Sequence, residues 1–243
     1  MGINLGECLS FGWERFKNNP GFYIVWFLLS AGIQFAFSVV SQIIQSVVMV
    51  VGGVSGGGNE SAVAFTALFV AYGIGFVMSL FAVIAIAPLL AGFFRGVKRE
   101  YEGGQAEISE LFSGYSNPVP AVVACLISFF VIALGTLCCI IPGILLGLLV
   151  PLSLCHLADG ETSGVEAFKK AFGTLRKEPI IILWNIVLGI IGVLGLFACG
   201  VGILVTIPLS MAAFYAVYRQ AVDGGGHPGH PSEDVVEVTP ESV

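Results

Sequence analysis

Charge is what this sequence has least of. Of its 243 residues only 11% are Asp, Glu, Lys or Arg, against roughly 25% in an ordinary soluble domain. Hydrophobic residues make up 56% of the chain and the mean hydropathy is +0.95. A water-soluble fold needs polar groups to cover its exterior, so this composition excludes one and indicates an integral membrane protein. There are only ten Lys and Arg, and no basic block interleaved with aromatics, which argues against nucleic acid as a partner. The opening M-G-I-N-L-G-E-C-L-S lacks a basic stretch followed by an apolar core, so no cleavable signal peptide is expected, and Cys8 does not sit in a lipobox. The net charge of -6 does not describe an acidic surface, because Glu233, Asp234, Glu237 and Glu241 fall within the last eleven residues.

What is abundant is long apolar sequence. Runs free of Asp, Glu, Lys and Arg cover 21–51, 61–94, 118–142, 143–158, 179–199 and 201–218. A bilayer core takes about 20 apolar residues in helix, so the expected architecture is all-α, with six transmembrane helices in three hairpins. The reversals are expected at the glycine-rich stretch 52–61, at Ile141-Pro142-Gly143 and at Cys199-Gly200-Val201-Gly202. Under that parse Arg15, Lys17, Arg95, Lys98, Arg99, Lys169, Lys170, Arg176, Lys177 and Arg219 all lie on one side, and the three opposite loops hold none. Positive residues mark the cytoplasmic side. Both termini are therefore expected in the cytoplasm of a bacterial cell, with the protein in its inner membrane.

Three related stretches precede the odd-numbered spans: W-E-R-F-K-N-N-P at 13–20, F-S-G-Y-S-N-P at 112–118 and F-G-T-L-R-K-E-P at 172–179. Each ends an amphipathic segment. In the first, Leu5, Leu9, Trp13 and Phe16 recur at helical spacing while Phe11 breaks the pattern; in the second the stripe is Ile108, Leu111, Phe112 and Tyr115; in the third it is Val165, Phe168, Phe172 and Leu175. The residue before a proline avoids the α region, so Asn19, Asn117 and Glu178 mark elbows between an interfacial helix and a span. The returning spans carry Pro88-Leu89, Pro151-Leu152 and Pro208-Leu209. Together these features predict a threefold internal repeat (4–100, 105–160 and 162–221) forming one membrane domain over 1–221. A disordered cytoplasmic tail over 222–243 would follow.

The candidate membrane-interface and lipid-contacting residues are Trp13, Arg15, Phe16, Lys17, Phe112, Tyr115, Phe168, Lys169, Lys170, Phe172, Arg176 and Lys177. The candidate helix breaks are Pro20, Pro88, Pro118, Pro142, Pro151, Pro179 and Pro208. No catalytic, cofactor or metal site is expected, since proton relays and ion paths need charged groups that the runs lack. Gln34, Gln42 and Gln45 form a polar seam or bond to neighbouring helices. His156 and Asp159 end a helix or contribute to a headgroup or metal site. His227 and His230 lie in the tail, and a Cys139–Cys199 bridge is one option in an oxidising compartment.

The run I-I-P-G-I at 140–144, then Asp159, then the amphipathic E-A-F-K-K-A-F at 166–172 before a new span, resembles a bacterial group of uncharacterised six-helix membrane proteins. That group includes the membrane domain accompanying some glycerophosphodiester phosphodiesterases. The likeness covers mainly 107–221. It departs from the group after Ala167, where a serine is usual and Phe168 stands here. The resemblance implies an inner-membrane protein and carries no enzymatic role, because the phosphodiesterase domain has no counterpart. Two functions are then expected. The first is a non-enzymatic scaffold or lipid-interacting module, with membrane lipids as partners and a protein partner or homo-oligomer as further options. The second is a small transporter or channel for an apolar or amphiphilic solute, with Pro88, Pro151 and Pro208 opening helices around a central cavity.

Overall fold

In the computed structural model, residues 4–55, 60–195 and 202–223 are described, and among them every regular element is helical. The helices are α1 (Leu5–Asn18), α2 (Pro20–Ser55), α3 (Glu60–Tyr101), α4 (Val119–Cys138), α5 (Ile140–Leu146), α6 (Leu149–Ala158), α7 (Gly164–Lys177), α8 (Ile180–Leu194) and α9 (Ile203–Val222). A 3-10 helix, Ile108–Ser116, lies between α3 and α4. The expectations for Cys199, for the turn at 199–202 apart from Gly202, for His227 and His230 and for the tail beyond Asp223 lie outside the described residues.

Among the described residues, three helices are long and apolar enough to cross a membrane: Pro20–Val51, Leu68–Tyr101 and Val119–Cys138. The bent pair α7–α8 makes a fourth if counted as one. At 1.5 Å per residue the 36 residues of α2 and the 42 of α3 extend about 54 and 63 Å, well beyond a hydrocarbon core of about 30 Å. Of the remaining apolar runs, 143–158 is written in the shorter α5 and α6, while α9 has 20 residues.

The three breaks expected before a proline are present. Asn19 ends α1 outside the helical region at φ -141°, and Pro20 opens α2. Asn117, at φ -142°, ends the 3-10 helix, and Pro118 caps α4. Glu178, at φ -122°, ends α7, Pro179 caps α8, and the two helices meet at 100°. Proline belongs at such starts, where its missing N–H costs no helical bond.

Elsewhere the prolines behave differently from expectation. Pro88 and Pro208 lie inside α3 and α9, which continue through them; each removes one backbone bond while the flanking turns hold. Pro151 sits in the first turn of α6, and Pro142 in the first turn of α5. The break after α4 falls earlier than Pro142, at Cys139, whose extended backbone (φ -159°, ψ 137°) separates α4 from α5.

The core is built from the returning helices. α3, α6 and α9 touch one another pairwise. Their inward residues, including Phe93, Phe94, Leu152, Cys155 and Ala212 to Tyr218, are buried, while α2 and the outer turns of α4 and α8 leave Phe35, Val50, Leu137 and Ile190 exposed. Each short entry segment packs on a returning helix: the 3-10 helix on α3, α7 on α6, and α1 on α9. The first segment in the chain thus lies against the last helix.

Glycines make these contacts close. A Cβ on Gly114 would stand 1.9 Å from the Pro88 carbonyl oxygen, and one on Gly92 would stand 2.2 Å from that of Leu111. A Cβ on Gly12 would come within 2.9 Å of the Leu209 oxygen on α9.

Candidate functional site at the polar end of the bundle

The last turns of α3, α6 and α9 meet in a polar cluster. Asp159 caps α6, and its carboxylate accepts hydrogen bonds from Tyr215 Oη at 2.7 Å, Tyr218 Oη at 2.8 Å and Arg219 Nη1 at 3.0 Å. Lys98 Nζ of α3 lies 3.9 Å from the same carboxylate and donates to the Ala158 carbonyl at 3.2 Å. His156 uses both ring nitrogens, toward Tyr218 Oη and Thr174 Oγ1, each at 3.1 Å. Even a partly buried carboxylate is favoured by partners that replace its lost water. Asp159 is paired by one tyrosine pair and two cations, so the cluster is a clamp between three helix ends.

The same end fixes the elbows. Asn19 Nδ2 donates to Glu100 Oε1 at 3.1 Å and to the Ala106 carbonyl at 2.7 Å, while Tyr23 Oη bonds to the other Glu100 oxygen. Arg95 Nη1 reaches the Ser113 carbonyl at 3.1 Å, and Arg99 pairs with Glu110. Thr174 holds α7 through His156, and Lys170 pairs with Glu161, whose carboxyl that bond holds below its usual range. The chain's opening is tied in as well, with Asn4 N donating to Gln220 Oε1 at 2.9 Å.

The entry segments carry the predicted interface residues, but their faces are divided in a way periodicity did not show. On α1 the inward face is Cys8, Phe11, Gly12 and Phe16, so Phe11 and Phe16 are core residues; Trp13 and Lys17 are exposed and Arg15 half-buried. The expectation that Phe16 faces the surface is thereby corrected. The second segment is 3-10 and not α-helical, and its three residues per turn align Leu111 with Gly114 inward. Phe112 and Tyr115 are left exposed, the latter donating to the Ala85 carbonyl at 2.8 Å. On α7 the inward residues are Gly164, Ala167 and Ala171. Val165, Lys169, Lys170, Phe172, Arg176 and Lys177 are exposed, and Phe168 is half-buried.

One rule covers all three segments. Small residues or the interior face meet the protein, and at least one large apolar residue is turned out beside exposed polar groups. Lys17 lies over the Trp13 ring at 5.6 Å from its centroid. Next to the third elbow, His156, Lys170, Gly173, Thr174 and Lys177 line a depression of about 330 Å³.

Sequence reasoning did not single out Lys98, Glu100, Tyr23, Tyr215, Tyr218 or Arg219 as a connected set. The one available signal was polar residues closing an apolar run at Tyr215, Tyr218 and Arg219, which fall on one helical face. Among the described residues, no group of three His, Cys, Asp or Glu comes together in a way that could hold a metal.

No family model matches the chain, and no solved structure matches it significantly. The chain is similar to the uncharacterized protein Rv2560 of Mycobacterium tuberculosis, at 25% identity over 236 residues, covering 92% of this chain and 70% of that protein. It is likewise similar to the uncharacterized protein Mb2590 of Mycobacterium bovis, at 24% identity with the same coverage.

Proposed function

We propose that this protein is a non-enzymatic, multi-pass inner-membrane protein that works as a lipid-interacting module through its three entry segments. The single observation that carries this is the outward placement of Trp13, Phe112, Tyr115, Val165 and Phe172 on segments whose other face is packed on the bundle. A segment lying in the headgroup layer needs apolar side chains toward lipid and charges toward water. Lys17, Arg176 and Lys177 supply exposed positive charge on α1 and α7, each worth about 1 kcal/mol near an anionic surface, and Lys169, paired with Glu166 at 2.8 Å, adds less.

In this reading the six apolar runs form three hairpins related by a threefold repeat, with both termini cytoplasmic. Supporting it are the pairwise contacts of α3, α6 and α9 and the packing of each entry segment on a returning helix. All ten Lys and Arg belong to α1, α7 or the last two turns of α3 and α9. The resemblance to six-helix membrane proteins points the same way. The transport reading has less support: Pro88 and Pro208 are buried in continuous helices, with the Pro88 carbonyl packed under Gly114.

Lipid preference tests the function. Phosphatidylglycerol added to the detergent-solubilised protein should raise its melting temperature more than phosphatidylcholine does. In a Lys17→Gln, Lys169→Gln, Arg176→Gln, Lys177→Gln variant that difference should vanish. An undiminished difference removes the basis of the proposal.

Thiol labelling tests the topology. Cys138 and Cys139 are exposed at the end of α4 remote from the clamp, whereas Cys8, Cys125 and Cys155 are buried. Burial pushes the Cys8 thiol up to about 12, leaving almost no thiolate to react. In a Cys199→Ser background, a membrane-impermeant maleimide should label Cys138 and Cys139 only from the extracytoplasmic side. Labelling from the cytoplasmic side alone would reverse the orientation.

A further inference from the structure

We infer that the hairpin of α2 and α3 holds a glycerolipid of the outer leaflet, with its ester region in a polar-railed groove and one chain in an adjoining apolar slot. This rests on the membrane placement proposed above and concerns the opposite side of the bilayer from the entry segments.

The groove, about 1290 Å³, runs between α2 and α3. Its α2 wall is a rail of uncharged polar residues, Gln34, Ser38, Ser41, Gln42 and Gln45, repeating at three, four and seven so that they share one face. Its α3 wall is an aromatic ladder, Phe65, Phe69, Tyr72 and Phe76, on the same periodicity. No lining residue carries a charge. Gln45 Nε2 donates to Ser41 Oγ at 2.9 Å. Among the described residues, the amides of Gln34 and Gln42 have no protein partner.

Such a rail is costly against hydrocarbon, where unmet amides lose their hydrogen bonds. It is suited to acceptors held between it and the ladder, since glutamine amides and serine hydroxyls both donate. The depth agrees. With Pro20 at the cytoplasmic boundary, Gln34 lies about 21 Å along α2 and Gln42 and Gln45 about 33 and 38 Å. The last two therefore reach the opposite headgroup layer, beyond a core of about 30 Å.

The groove does not end in the hydrocarbon. Gln34, Ser79 and Ala82 also line a second space of about 290 Å³, whose other walls are apolar residues such as Ile86, Leu90, Phe129, Ile132 and Val150 of α3, α4 and α6. A polar-railed space at the outer boundary that opens into a narrow apolar slot is the shape of an amphiphile. A second copy of the chain, packed helix to helix, would cover the rail but would leave the slot without an occupant.

The test is photo-crosslinking in liposomes with a phosphatidylcholine carrying a diazirine in one acyl chain. Crosslinks concentrated on slot residues, competed by unlabelled lipid and reduced about tenfold in Gln34→Leu, Gln42→Leu, Gln45→Leu, are the expected result; that loss corresponds to two or three hydrogen bonds. Ala82→Trp, which closes the neck of the slot, should remove slot crosslinks while leaving those on exposed α8 residues such as Ile190. Crosslinks spread evenly over α2, α4 and α8 overturn the inference. So do protein dimers joined through α2 and α3 with no lipid in the slot. Extraction of the protein by alkaline carbonate would instead refute the membrane placement itself, so the two failures are distinguishable.

Discussion

Gly114→Ala destabilises the protein by roughly 3 kcal/mol or more, and its melting temperature in detergent falls by about 10 °C. The added methyl would stand 1.9 Å from the Pro88 oxygen and 2.7 Å from its carbon, so the obstacle is backbone inside α3 and not a movable side chain. The 3-10 helix must lift off α3, and lifting it separates Leu111 from Gly92, a contact already at its limit. Gly92→Ala and Gly164→Ala, each meeting a backbone oxygen at 2.2 Å, should follow closely. Gly12→Ala, at 2.9 Å from the Leu209 oxygen, should cost less. Gly173→Ala meets nothing within 4 Å in the middle of α7, and should stabilise by about 0.5–1 kcal/mol through helix propensity alone. A series in which Gly114→Ala and Gly173→Ala behaved alike would show that the entry segments do not pack as described.

These glycines explain part of what the sequence disclosed and what it hid. The helix breaks were legible because the rule behind them is local: a proline restricts its predecessor, and Asn19, Asn117 and Glu178 each precede one. The apolar character of α2, α3 and α4 was legible too, but six spans were expected, and among the described residues three helices, or four with the bent pair, are long and apolar enough. Which face of an entry segment turns inward was not. A stripe of large apolar residues reads as a core face in water, whereas α7 buries Ala167 and Ala171 and exposes Phe172. Periodicity finds a stripe without saying whether protein or lipid covers it.

The glutamines of α2 were read first as bonding to neighbouring helices and only second as a seam; they line the groove, with Gln45 bonded to Ser41 of its own helix, and the aromatic ladder opposite was not legible because it lies on α3. The least legible feature was the clamp. Its residues come from positions 98, 156, 159, 215, 218 and 219, and side-chain pairing across sixty residues leaves no trace in any local period.

That clamp carries the second large effect. Asp159→Ala should lower stability by about 2–3 kcal/mol, chiefly because it takes the acceptor from a buried tyrosine hydroxyl. The loss is not mainly Coulombic. Arg219 retains Asp223 at 3.0 Å, and Lys98 retains Glu102 at 3.7 Å, so neither cation is stranded. Tyr218 retains His156. Tyr215, fully buried, has Asp159 as its hydroxyl's partner among the described residues and would be left with an unmet donor, at roughly 1–3 kcal/mol. Tyr215→Phe alone removes the donor together with its need and should cost about 1 kcal/mol. The double variant Asp159→Ala, Tyr215→Phe should therefore be more stable than the sum of the two losses implies. Denaturant unfolding of the four proteins in one detergent measures the coupling directly. Strict additivity would mean that Asp159 acts through its charges alone, and the clamp would then be an ion-pair network with the tyrosines as bystanders.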